Sequence, residues 1–152
     1  FFSDAKVKAL EIAFSNDFVK LAIIFFQIYT LMSLLPLYMN ELYENEPIFQ
    51  KSKIITSLYK NEFDQTLSET MMKKIMFDEI DKGKVEVLKK ATYENLMKVA
   101  IDFSDGLIIG SENISDEISS YLKQSKKPNL EYQPMDSFSD HYLEFYEKFL
   151  DN

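Results

Sequence analysis

Between Leu21 and Asn40 the chain runs for 20 residues, LAIIFFQIYTLMSLLPLYMN, without a charge. A stretch of that length either crosses a bilayer as one helix or is folded away inside a core, and the two outcomes lead to different proteins. Gln27, Thr30, Ser33 and Pro36 interrupt it. Its opening, Ala22-Ile23-Ile24-Phe25-Phe26, is β-branched and aromatic, whereas the part that follows is rich in Leu and Met. That change of character divides the run into a buried parallel strand at about Ala22 to Gln27 and a helix from about Thr30 to Glu44. Strands covered on both faces appear as continuous apolar runs, so the absence of charge needs no membrane. The basic-then-small pattern of a secretion signal is also missing. The rival reading, a single membrane span, predicts partition into detergent.

The same periodicity arguments carry along the chain. Ser3 and Asp4 can cap a helix whose Val7, Leu10, Phe14, Phe18 and Leu21 form one apolar stripe. Tyr43 to Pro47 is polar, and Lys53 to Tyr59 (KIITSLY) then reads as a second strand. Ser68 can cap a short helix through Met76, and Gly83 marks a turn before Val85, Val87 and Leu88. Thr92 is a good N-cap for a helix presenting Leu96, Met97, Ala100, Ile101 and Phe103, which Asp105-Gly106 stops. Leu107-Ile108-Ile109 is a short apolar strand, and Ser115, Asp116 and Glu117 open a helix with Ile118, Tyr121 and Leu122 inward. Lys126-Lys127-Pro128 breaks it, Leu130 to Tyr132 can form a brief last strand, and Asp136 or Ser137 caps a final helix. The stripe of that helix is Phe138, Tyr142, Phe145, Tyr146 and Phe149. Strands alternating with helices predict an α/β fold: a Rossmann-like parallel sheet of about four strands covered by helices on both faces. With 152 residues, one domain spanning 1–152 is expected.

Composition removes several kinds of chemistry. Seventeen basic against 25 acidic residues, a net charge of −8, disfavour a phosphate backbone, so nucleic acid is not expected as a partner. Without Cys, a disulfide framework, an iron–sulfur cluster and a thiol nucleophile are excluded, and the chain suits a reducing, cytoplasmic setting. A single His, His141, supports neither a Ser-His-Asp set nor a histidine metal site, so no metal and no cofactor are expected. Glu131, Asp136, Asp140, Glu144, Glu147 and Asp151 face Lys148 alone, which a solvated outer surface explains.

In open α/β sheets ligands bind beyond the carboxyl ends of the strands, which here are the turns after Gln27, Tyr59, Ile109 and Tyr132. Gly110-Ser111-Glu112-Asn113 joins hydroxyl, carboxylate, amide and the free amides of a helix start, a set suited to a polar or sugar ligand. It also reads as an ordinary strand-to-helix turn with a cap. Tyr59, with Lys60, Asn61 and Glu62 behind it, closes the second strand in a similar position and carries the same two readings. The candidate substrate-binding residues are therefore Tyr59, Asn61, Glu62, Ser111, Glu112 and Asn113, with no catalytic residue assigned.

The segments SKIITSLY, TYENLMKVAIDFSDGLIIGSE and ISDEISSYLKQSKKP, with LLPLYMNELYENEPIF (Leu34 to Phe49) and NEFDQTL (Asn61 to Leu67) between them, resemble the glycogen/starch synthase catalytic-domain family in its short Bacteroidetes-type form. The likeness covers about Leu34 to Leu150. It implies a retaining glycosyltransferase lineage that extends an α-1,4-glucan acceptor from a nucleotide sugar, usually ADP-glucose, using two Rossmann-like lobes. The chain would be the later part of the first, acceptor-side lobe, starting after the family's lysine–glycine–glycine loop and lacking the second lobe. Where the family has a histidine–glycine (or aspartate)–tryptophan motif ahead of LLPLY, this chain has Phe25 to Met32, through either a frame slip in the gene or true divergence. Longer synthases carry a histidine near the position of Tyr59.

The resulting expectation is a glucan-synthase-like domain, incomplete or inactive by itself. Its alternative is a non-catalytic α/β interaction or regulatory module, whose open sheet edge leaves apolar area for self-association.

Overall fold

A computed structural model of the chain describes residues 23–27, 32–47, 49–60, 80–134 and 138–150. Strands β1 (Ile23–Gln27), β2 (Lys53–Leu58), β3 (Gly106–Ile109) and β4 (Asn129–Leu130) form one parallel sheet, in the order in which they occur along the chain. The first three are full strands, and β4 contributes only two residues. Among the described residues four α-helices accompany them: α1 (Leu35–Leu42), α2 (Tyr93–Asp102), α3 (Asp116–Ser125) and α4 (Phe138–Leu150). The α/β parallel sheet predicted from the sequence is what forms.

The uncharged run divides as expected. β1 takes up its opening, and a 3-10 turn at Met32–Leu34 leads into α1, with Pro36 in the first turn, where its missing N–H is tolerated. No helix among the described residues is long and apolar enough to cross a membrane.

Register decides which side chain serves which layer. Ile55 lies beside Gly106, Thr56 beside Leu107, Ser57 beside Ile108 and Leu58 beside Ile109. Because successive residues of a strand point to opposite faces, Leu58, Leu107 and Ile109 share one face while Ile55 and Ile108 share the other. On the first face these strand residues pack with Leu34 and Leu37, Val85 and Leu88, Leu96, Met97 and Ile101, and Ile118 and Leu122. The described helical segments of the connections β1–β2, β2–β3 and β3–β4 therefore all pack on the same face. On the second face, Ile55 and Ile108 are covered by Phe145, Tyr146 and Phe149 of α4. Both faces carry helices, as predicted, but unequally.

The amino-end edge of the sheet is tied down by polar contacts. The Asp105 carboxylate accepts from the Ile54 amide at 2.9 Å and from Lys53 Nζ at 3.1 Å, and the Asp105 amide donates to Ile54 O at 2.8 Å. Under α2, the buried hydroxyls of Thr56 and Ser104 share a hydrogen bond at 2.5 Å. At the carboxyl end of α2, Lys127 Nζ donates to Asp102 O, and just past the helix Asn40 Nδ2 donates to Phe103 O at 2.8 Å and Lys127 Nζ to Ser104 O at 2.7 Å. These groups would otherwise be orphaned at a helix end. Burial holds the Lys127 ammonium below its ordinary pKa, against the opposing pull of Asp102 and Asp105.

Several boundaries differ from the sequence reading. β2 ends at Leu58, so Tyr59 lies just past it, and β4 is Asn129–Leu130 rather than Leu130 to Tyr132. Gly106 does not stop α2, which ends at Asp102; it opens β3. The reason is contact rather than turn geometry: a Cβ on Gly106 would lie 2.5 Å from Phe149 Cζ, so the strand starts where an aromatic ring rests on bare backbone. The turn expected at Gly83 is the first of two short 3-10 segments within Lys82–Lys89, which meet at a kink at Val85 (φ −121°, ψ 16°); it is entered through the Asp81 side chain accepting from the Gly83 amide at 2.7 Å. The expected helix after Ser3, the Ser68 to Met76 helix and the caps Asp136 and Ser137 lie outside the described residues.

The caps Thr92 and Ser115 form as predicted, accepting from the amides of Asn95 and Ile118, each at 3.3 Å. Replacing Gly106 with Ala should push Phe149 off the sheet and cost about 1–3 kcal/mol through overpacking, measured as a lower urea midpoint with the fold retained.

Candidate functional site

The carboxyl ends of β2, β3 and β4 emerge along one rim, and the turns that follow them meet there. Strand alternation carries past Leu58 and Ile109, so that Tyr59 and Gly110 face the α4 side. The Tyr59 ring lies so close to Gly110 that a Cβ there would stand 2.6 Å from the nearest ring carbon. Gly110 is thus required by the ring crossing it. The Gly110 amide donates to Leu58 O at 2.7 Å, and the Lys60 amide donates to Ser111 Oγ at 2.9 Å. From the other side of the sheet, Tyr93 donates its hydroxyl to Tyr59 O at 2.6 Å.

These contacts separate the predicted site residues into two kinds. Tyr59 and Ser111 come together, and each ties one turn to its neighbour. Glu112 and Asn113 are exposed and point the site elsewhere: with Lys123 of α3 and with Asn129, Glu131 and Tyr132 of and after β4, they line a groove of about 210 Å³ between α3 and β4. Asn61 and Glu62 lie outside the described residues. Of the groove residues beyond Glu112 and Asn113, the sequence reading marks the turn after Tyr132 as a place for a ligand and assigns Glu131 to a solvated face, and it gives Asn129 and Lys123 no role.

A tyrosine cluster backs the rim. The rings of Tyr142 and Tyr146 meet edge to face at 6.1 Å between centroids. Burial, reinforced by the nearby Tyr59 and Tyr132 hydroxyls, pushes the Tyr142 phenol up to about 12. Burial raises Tyr146 further, with Tyr142 and Tyr59 contributing. Both phenols are neutral at any physiological pH. The aromatic stripe of α4 is therefore core, since Phe145, Tyr146 and Phe149 are buried. His141, Glu131, Asp140, Glu144 and Glu147 are exposed, as a solvated face requires. Among the described residues, no group of His, Cys, Asp and Glu is placed to hold a metal ion.

A parallel sheet with its polar turns gathered at the carboxyl rim serves many unrelated activities, and comparison with protein-family models decides among them. The model of the starch synthase catalytic domain matches residues 6–130. The chain belongs to the starch synthase catalytic-domain family. The match reaches upstream of Leu34, where the resemblance read from sequence begins, and it closes at Leu130, ahead of α4. No curated protein and no solved structure matches the chain. Membership assigns a glycosyltransferase-type function to the fold, and all of the described rim turns up to Leu130 fall within the matched span.

The neutral Tyr142 phenol has a consequence for stability. Its folded pKa lies above the ordinary value of about 10, so its contribution is complete below about pH 10 and is lost as pH rises through about 12. Tyrosinate absorbance should accordingly lag that of the unfolded chain, and the urea midpoint should fall between about pH 10 and 12. Replacing Tyr142 with Phe should flatten that fall.

Proposed function

We propose that this domain holds the α-1,4-glucan acceptor side of a glycogen/starch-synthase-type transfer, with ADP-glucose as the donor to the complete reaction. The observation that carries the reading is the family match over residues 6–130, which encloses every described strand and the turns Tyr59-Lys60 and Gly110 to Asn113. Acceptor binding belongs at those turns, together with Asn61 and Glu62, which follow Lys60 in sequence.

By themselves, the 152 residues do not accomplish transfer. A departing nucleoside diphosphate carries charge that must be met by preorganised donors, and bidentate guanidinium forks are the strongest of these. All 17 basic residues are lysine, the sequence contains no arginine, and no two of its three glycines are adjacent to form a phosphate loop. The rim and its groove offer Lys60 and Lys123 as point charges among neutral and acidic groups, a set suited to holding hydroxyls in place and without the guanidinium forks that would stabilise a leaving phosphate. We place the domain in a reducing cytoplasm, in keeping with a sequence free of cysteine.

Titration of the chain with maltooligosaccharides should perturb the amides of Lys60 and Ser111 at millimolar sugar. Incubation with ADP-glucose and the same acceptor should give no chain extension. Silence at both turns would remove the glucan assignment, and measurable extension would refute the division of labour between acceptor binding and transfer.

A further inference from the structure

Two turns meet at the rim, but the open space lies beside them, in the groove between α3 and β4. Its walls combine an aromatic ring with a small number of polar groups. Tyr132 is 39% exposed, and Glu112, Asn113, Asn129, Glu131 and Lys123 surround the same space. From these we infer that the groove is a subsite for a single neutral sugar unit of the glucan, with Tyr132 as the platform for its apolar face. The inference rests on the acceptor reading above and extends it to residues that reading does not include.

Size and charge select the ligand. About 210 Å³ falls below the roughly 300–1,000 Å³ of sites that hold drug-sized molecules and is room for one hexose. Two carboxylates, Glu112 and Glu131, stand against one ammonium, Lys123, so a diphosphate would meet net repulsion. A pyranose is uncharged, with C–H bonds on its faces and hydroxyls around its perimeter. Carboxylate oxygens accept from such hydroxyls, the ammonium donates to them, and the carboxamide of Asn113 can do either.

The walls are held before any ligand arrives. Asn129 Nδ2 donates to Lys127 O at 3.1 Å and Gln133 Nε2 donates to Glu131 O at 3.0 Å, which secures the β4 side. Ser115 Oγ, accepting from the Ile118 amide at 3.3 Å, fixes the start of α3 on the opposite side. Walls fixed in this way lower the ordering cost of binding.

The test uses the isotopically labelled 152-residue chain, titrated in parallel with maltoheptaose and with ADP. Maltoheptaose should shift the amides of Glu112, Asn113, Glu131 and Tyr132, and ADP should leave them unmoved. Tyr132→Ala should weaken maltoheptaose about three- to tenfold, and Asn113→Ala should act in the same direction, with urea midpoints unchanged. If maltoheptaose moves Lys60 and Ser111 while Tyr132→Ala binds as tightly as the parent, the groove assignment falls and the acceptor reading stands. If maltoheptaose moves no amide, both fall. Shifts of the groove amides by ADP would overturn the assignment to a neutral sugar.

Discussion

Each strand of the sheet is laid on the same side of the one before it, and the character of both layers follows from that order. A crossover between parallel strands is right-handed with few exceptions, so three successive crossovers stepping in one direction must return over one face. That face receives α1, the 3-10 segments within Lys82–Lys89, α2 and α3, and it holds the larger core. The opposite face has no crossover of its own in the described residues and depends on α4. Phe145, Tyr146 and Phe149 close it over Ile55 and Ile108, and Gly106 is bare so that Phe149 can approach. The same order brings the carboxyl ends of β2, β3 and β4 to neighbouring positions, which is why the Tyr59 and Gly110 turns touch and the α3–β4 groove opens next to them.

Features written in short stretches of chain were legible in the sequence. The β-branched opening of the uncharged run and the KIITSLY segment specified two strands, and Thr92 and Ser115 specified two helix starts, because each signal and its partner lie within a few residues. Features that depend on distant partners were not. Gly106 looked like a helix stop because the ring of Phe149, which requires its bareness, lies 43 positions away in sequence. The 3-10 segments within Lys82–Lys89 were hidden by a single glycine that elsewhere marks a turn.

The candidate site divided along the same line. Glu112 and Asn113 could be read from their place after an apolar strand, and they do border open space. Ser111 was chosen for its hydroxyl, yet that hydroxyl holds the Lys60 amide, a tie visible only once β2 and β3 are paired. Tyr132 is marked only by its place after the last strand, and no local pattern marks Asn129 or Lys123. Only the pairing of β4 with β3 and the packing of α3 bring them to one groove. The acceptor-like character of the rim therefore comes from topology acting on otherwise ordinary residues.

The pairing of β2 with β3 is the element on which the rim, the groove and both cores depend, and native-state hydrogen exchange tests it directly. The Gly110 amide, donating to Leu58 O at 2.7 Å, should exchange only through global unfolding, with the same protection as amides in the middle of α2. Exchange of Gly110 at the rate of an unstructured peptide, in a chain whose α2 amides remain protected, would contradict the account.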